Sequence, residues 1–167
     1  MYLRMLSCIA IFTLWGNNIF AQDLSKRPQA VFFEVLGIGV GYSVNYDTRF
    51  YKSENGLGGR AGVSYFKSNG LGVFSLPVGL NYLLGKNGNY FEVGAGATFL
   101  SVKEDDNQHG EFLFIGGEES TVVGTLAFGY RRQPVDGGFT FRAGVSPIIG
   151  GGDFIPWWPH VGFGYAF

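Results

Sequence analysis

The stretch HVGFGYAF, residues 160–167, alternates between large apolar residues and small or polar ones. The large residues fall at every second position, and they are Val161, Phe163, Tyr165 and Phe167. Between them lie His160, Gly162, Gly164 and Ala166. A period of two is the side-chain period of a β-strand, in which successive residues point to opposite faces. The stretch therefore predicts a strand with one apolar face.

The same alternation recurs in seven segments upstream, and each segment has an apolar face opposite a small or polar one. The apolar faces are Val31, Phe33 and Val35; Tyr42, Val44, Tyr46 and Phe50; Ala61, Val63 and Tyr65; Phe74, Leu76, Val78, Leu80, Tyr82 and Leu84; Phe91, Val93, Ala95, Ala97 and Phe99; Val122, Leu126, Phe128 and Tyr130; Phe139, Phe141, Ala143 and Val145. Eight strands is an even number, as in bacterial outer-membrane barrels. The sequence predicts an all-β fold, an eight-stranded antiparallel transmembrane β-barrel with up-and-down connections.

The connections between these segments alternate between two kinds, as they do in outer-membrane barrels. Short connections rich in Gly, Asn or Asp are predicted at the periplasmic end, at residues 53–56, 85–89 and 133–138. The predicted external connections are residues 38–41, 68–72, 103–120 and 148–157. The two longest are both external, so the loop lengths agree with the alternation.

Composition supports a single membrane-embedded domain. The 167 residues include 28 Gly and 17 Phe, and charged residues make up only 15%. The net charge of -1 and the absence of a basic stripe predict no nucleic-acid partner.

Six charged residues lie on the faces that carry glycine and serine: Glu34, Asp47, Arg49, Arg60, Glu92 and Arg142. A soluble lipocalin-like barrel would show the inverse pattern, with charge outside and large apolar residues inside. We expect these three acids and three bases to pair as an inner polar network, because an unpaired buried charge is costly. Eight strands leave room only for side chains, which favours a filled lumen over a conduction path.

The first residues have the features of an export signal. Arg4 precedes an apolar run of about eleven residues, too short to span a membrane, and Ala21 is a plausible cleavage point. We predict a signal peptide at residues 1–21 and an outer-membrane barrel domain at residues 22–167. Cys8 is the only cysteine and lies in the signal, so the mature chain would have no disulfide.

Four segments resemble a family of largely uncharacterised small outer-membrane β-barrel proteins. They are EVLGIGVGYSVNYDTRF (34–50), LPVGLNYLLGK (76–86), FEVGAGAT (91–98) and FRAGVSP (141–147). The resemblance implies a barrel in the outer membrane and brings no catalytic residues. The terminal VGFGYAF is similar to the signal that the barrel-assembly machinery reads, which would make Val161, Phe163, Tyr165 and Phe167 an assembly signal.

Two other motifs have weaker interpretations. The run GIGVG at residues 37–41 lacks the spacing of a nucleotide-binding loop, and a hairpin turn is expected instead. Asp105, Asn107 and Gly110 fit positions of a calcium loop, but His109 and Gly116 stand where ligands should be. We therefore predict no metal and no cofactor.

His160 is predicted on the inner face near Arg142 or Ser146, whereas a lipid-modifying site would have to open to the outer wall. We accordingly predict no enzymatic activity. The sequence favours a structural or surface-interaction role with a side-chain-filled lumen. The alternatives are a narrow pore or small-solute transporter and, with less support, a lipid-modifying enzyme. Outer-membrane lipid and, during insertion, the barrel-assembly machinery are the expected partners, whereas the sequence identifies no surface ligand.

Overall fold

A computed structural model describes residues 27–68, 71–104 and 120–167. The strands are β1 (Gln29–Leu36), β2 (Tyr42–Arg49), β3 (Gly56–Ser68), β4 (Leu71–Lys86), β5 (Asn89–Glu104), β6 (Ser120–Arg132), β7 (Gly138–Val145), β8 (Ile148–Gly150), β9 (Asp153–Ile155) and β10 (Pro159–Ala166). A single 3-10 turn, Gly37–Gly39, follows β1. In the described ranges, no helix is both long and apolar enough to cross a bilayer.

Eight of these strands form a closed antiparallel barrel, which confirms the predicted fold class. Each of β1 to β6 pairs with the next strand along the chain, β6 pairs with β7, and β7 pairs with β10. The pairing of β10 with β1 closes the ring, from Ala30 opposite Ala166 to Leu36 opposite His160. Closure leaves none of the eight strands with a free edge.

The predicted alternation appears as opposite burial on the two faces of the wall. Along β1 the side chains of Phe32 and Glu34 are buried, while those of Val31, Phe33 and Val35 are exposed. The other strands repeat this arrangement, so large apolar side chains cover the outside, and the inside holds the buried polar side chains together with some apolar ones, such as Val73 and Leu100. Such a surface suits a lipid environment, in which the outward face of a barrel is apolar.

The connections fall close to the predicted positions, with two differences. We call the barrel end that holds the start of β1 and the end of β10 the terminal end, and the opposite one the distal end. At the terminal end, Asn87 and Gly88 alone join β4 to β5, and both have positive φ, as an Asn-Gly hairpin turn requires. The β2–β3 connection, residues 50–55, lies earlier than predicted, because β2 ends at Arg49 and β3 already starts at Gly56.

The second difference concerns the distal residues 148–157, which we predicted to be a loop. β8 and β9 form a small hairpin there, and β8 continues the pairing with β6 beyond a break at Ser146 and Pro147. Proline cannot donate to a ladder, so the strand is interrupted and then resumes. The predicted signal with Cys8, and the calcium-like stretch with His109, lie outside the described residues.

Candidate functional site

The lumen of the barrel is the candidate site, because the buried polar side chains converge there. All six charged residues predicted for the inner network are buried, and each lies within ion-pair distance of an opposite charge. The set comprises Glu34, Asp47, Arg49, Arg60, Glu92 and Arg142. Together with Arg131 these residues form what we call the ion layer.

Asp47 on β2 is the most heavily paired carboxylate of this layer. Arg131 on β6 donates two hydrogen bonds of 3.0 Å, one to each carboxylate oxygen of Asp47. Arg49 donates a third at 2.7 Å, and the amide of Asn81 donates a fourth at 2.5 Å. Because β2 and β6 lie on opposite sides of the ring, the Asp47–Arg131 pair crosses the lumen.

Glu34 forms a second pair nearer the distal end. Both terminal nitrogens of Arg60 donate to its carboxylate, at 3.2 and 3.3 Å. This bidentate arrangement is the strong form of an arginine–carboxylate contact. β2 separates the strands of these two residues, so the pair spans part of the lumen wall.

Arg142 on β7 lies between all three carboxylates. Its guanidinium nitrogens are 3.5 Å from Glu92, 3.8 Å from Glu34 and 3.9 Å from Asp47. The guanidinium carbon also lies 3.7 Å from the ring centroid of Phe32, a cation–π contact. Arg142 therefore joins the two pairs into one network.

Arg131 is the functional residue that the sequence interpretation missed. It is fully buried, and besides Asp47 it also donates to the side chain of Gln133. The available signal was the alternation in β6, since Tyr130 was placed on the outer face and its neighbour must then point inward. With Arg131 included, the ion layer contains four arginines and three carboxylates.

Glycines on the inner faces make room for these long side chains. Gly162 pairs with Arg142 across the ladder, and a Cβ at that glycine would lie 2.9 Å from the Cγ of Arg142. A Cβ at Gly58 would collide with the guanidinium of Arg49. Alanine at either position would displace an arginine of the ion layer.

The distal half of the lumen is closed by the turn after β1, which we call the plug turn (Gly37, Ile38, Gly39 and Val40). All four residues are buried, so the turn folds into the barrel rather than out of it. It contacts strands on all sides, from β1 to β6 and β10. The sequence predicted a hairpin turn here, and the segment does join the antiparallel strands β1 and β2, but the sequence did not predict that the turn folds into the barrel.

Side chains from three strands or connections hold the plug turn by its backbone carbonyls. Trp158 donates from its indole nitrogen to Gly37 at 3.1 Å, and Ser75 donates to Gly39 at 3.2 Å. Thr98 donates to the carbonyl of Ile38. These bonds satisfy the polar backbone that a buried turn would otherwise leave without partners.

Val40 of the plug turn belongs to an apolar cluster inside the barrel. Its partners are Val73, Leu100, Val123 and Ile148, with Val102 and Trp158 packed against them. Beside the ion layer lies a cavity of about 10 Å³, lined among others by Ile38, Arg60 and Glu92. A space of that size holds about one water molecule.

His160 lies on the inner face, where it was predicted, and its Nδ1 is 2.9 Å from the Oγ of Ser146. Both side chains are buried beneath the distal connections and do not open to the outer wall. Among the described residues, no three His, Cys, Asp or Glu side chains converge to hold a metal ion.

No protein-family model matches the chain, and no curated protein matches it. Its structure is similar to the crystal structure of the N-terminal β-barrel domain of Pseudomonas aeruginosa OprF, with a TM-score of 0.55. The alignment covers 84% of this chain and 96% of that domain at 12% sequence identity. At this identity the likeness establishes the fold, an outer-membrane-type eight-stranded barrel, and nothing beyond it.

Proposed function

We propose that the protein is a non-conducting outer-membrane barrel with a structural or surface-interaction role. The observation that carries the proposal is the filled lumen, in which the ion layer and the plug turn follow one another along the barrel axis. An ion crossing the barrel would have to displace buried, mutually paired side chains. Passage of this kind is costly because every separated pair leaves a buried charge without its partner.

Planar-bilayer recordings of the purified barrel test this proposal. We expect no stable, water-filled conductance steps, since eight strands enclose only enough space for side chains. Large, stable steps from the unmodified chain would reject a closed lumen and favour the narrow pore. A heat-modifiable gel shift verifies that the protein used in the recordings is folded, so that an absence of conductance can be attributed to the folded barrel.

A surface-interaction role would belong to the distal end of the barrel. The long strands β3 to β6 and the β8–β9 hairpin extend toward that end. The longest separation between consecutive strands, from Glu104 to Ser120, also lies there. Loops on a rigid scaffold are the usual carriers of recognition. Deletion of the protein with profiling of envelope phenotypes would show whether a role in the envelope exists.

A further inference from the structure

The β2–β3 turn, residues 50–55, lies at the terminal end of the barrel. The base of this turn is fixed by backbone bonds, Phe50 to Leu57 at 3.0 Å and Arg49 to Pro28 at 3.0 Å. Arg49 also donates from its side chain to the carbonyl of Gly56 at 3.0 Å. Of the six turn residues, five are exposed, and only Glu54 is half-buried.

Glu54 lies within electrostatic range of groups on several elements at the terminal end of the barrel. Charged groups that act on its carboxyl come from three places: Arg49 on β2, Arg131 on β6 and Asp136 in the β6–β7 connection. Tyr90 on β5 also interacts with it. Since β5 and β6 lie across the ring from β2, the turn holds Glu54 within range of groups from both sides of the mouth.

One oxygen of the Glu54 carboxyl, Oε2, is buried without a hydrogen-bond donor. Its Oε2 atom has no partner among the described residues, because Arg131 and Arg49 direct their terminal nitrogens to Asp47, Asn81, Gln133 and Gly56. Burial raises the pKa of the Glu54 carboxyl from 4.5 to about 7, since desolvation outweighs the attraction of Arg131 and Arg49. A carboxyl in such a position is more stable with its proton than without it.

We propose that the β2–β3 turn is a proton-sensitive latch over the terminal mouth, closed while Glu54 holds its proton and released when the proton is lost. The direction of this pH dependence follows from the linkage between proton binding and closure of the turn. The closed turn binds the proton more tightly than the open one, so closure is fully favoured below the ordinary pKa and weakens as pH rises through the raised one. The window of change is therefore roughly pH 5 to pH 8.

Nuclear magnetic resonance of the folded barrel in detergent micelles tests the latch. Backbone amide order of residues 51–55 and the carboxyl shift of Glu54 would be followed from pH 5 to pH 8.5. We expect an ordered turn at the acid end and a fall of at least about tenfold in the closing constant by the alkaline end, because one pKa unit corresponds to a factor of ten. A pH-independent turn in the unmodified chain would overturn the proposal.

Two variants separate the latch from general effects of pH. Glu54→Gln carries no titrating group and should keep the turn ordered throughout. Asp136→Asn removes a nearby negative charge and should move the midpoint to lower pH. If Glu54→Gln retained the transition of the unmodified chain, another group would be responsible and the proposal would be wrong. Heat-modifiable migration of each variant verifies that the barrel itself is folded.

Discussion

At the scale of single residues, the charged side chains inside the barrel are stabilised mainly by hydrogen bonds and ion pairs with one another. Asp47 illustrates this, because its carboxylate accepts hydrogen bonds from side chains on three different strands. Such a network tolerates charge in a small lumen only when every member stays in place. Loss of one member is therefore more damaging than its individual contacts suggest.

Arg131→Ala should destabilise the barrel by about 3 kcal/mol, the lower part of the range for breaking a buried ion pair, since Arg49 and Asn81 still contact Asp47. The matched control is Arg132→Ala, the adjacent and exposed arginine, for which we expect about 0 to 1 kcal/mol. Urea unfolding in detergent micelles measures both. Equal losses for the two variants would indicate that the ion layer is solvated.

The close approach of β6 and β7 in the barrel wall depends on glycine, and this can be tested by substitution. Gly144 lies opposite Gly129, and a Cβ at Gly144 would collide with the carbonyl of Phe128 and lie 2.6 Å from the Cα of Gly129. We expect Gly144→Ala to cost about 1 to 3 kcal/mol through backbone displacement. Gly124→Ala has its nearest neighbour at 3.6 Å and should stay within about 0.5 kcal/mol.

At the scale of elements, the plug turn is the least ordinary part of the fold. Leu36, just before the turn, and Val40, its last residue, have φ values of 60° and 70°, although neither is glycine. A β-branched residue with positive φ is an outlier that the surroundings must enforce. Here the apolar cluster around Val40 and the three hydrogen bonds to the turn carbonyls provide that enforcement.

Val40→Asp should therefore destabilise the barrel by about 2 kcal/mol or more, because a carboxyl would enter an apolar cluster with no partner. Aspartate tolerates positive φ better than valine, so part of the cost is offset by relief of strain. Gly41→Asp is the control, since that neighbouring position is exposed and has open space around it. Similar unfolding midpoints for the two variants would show that the turn is not held inside the barrel.

The eight barrel strands could be predicted from sequence because period-two alternation is a local signal that each segment carries by itself. The inward position of Glu34 or Arg142 follows from the same rule. The plug turn could not be predicted in this way, since its burial depends on space left by distant residues such as Ser75 and Thr98. The ion-pair partners were equally inaccessible, because they depend on the stagger of strands around the ring.

At the scale of the whole molecule, the distribution of polarity is inverted relative to a water-soluble protein. In the described ranges, buried polar residues outnumber buried apolar ones, while large apolar side chains cover the outside. Aromatic residues lie near strand ends at both rims, such as Tyr165 at the terminal end and Trp157 at the distal end. This is the surface that a bilayer with two aqueous interfaces selects.

The orientation of this surface in the envelope determines which end of the barrel is reached from outside the cell. If the terminal end faces the periplasm, as the loop lengths indicate, then the β8–β9 hairpin faces the cell exterior. Asp153 in that hairpin and Val135 in the β6–β7 connection are both exposed, and they lie at opposite ends of the barrel. Each can be replaced by cysteine in a mature chain that is predicted to have no other thiol.

In intact cells, a membrane-impermeant maleimide should label Asp153→Cys and leave Val135→Cys unlabelled. Permeabilising the outer membrane should make Val135→Cys reactive, because only the membrane separates it from the reagent. Labelling of Val135→Cys alone in intact cells would mean that the barrel is inserted the other way round. In that case the plug turn would face the periplasm and the Glu54 latch the exterior, where its protonation would respond to the pH of the surroundings.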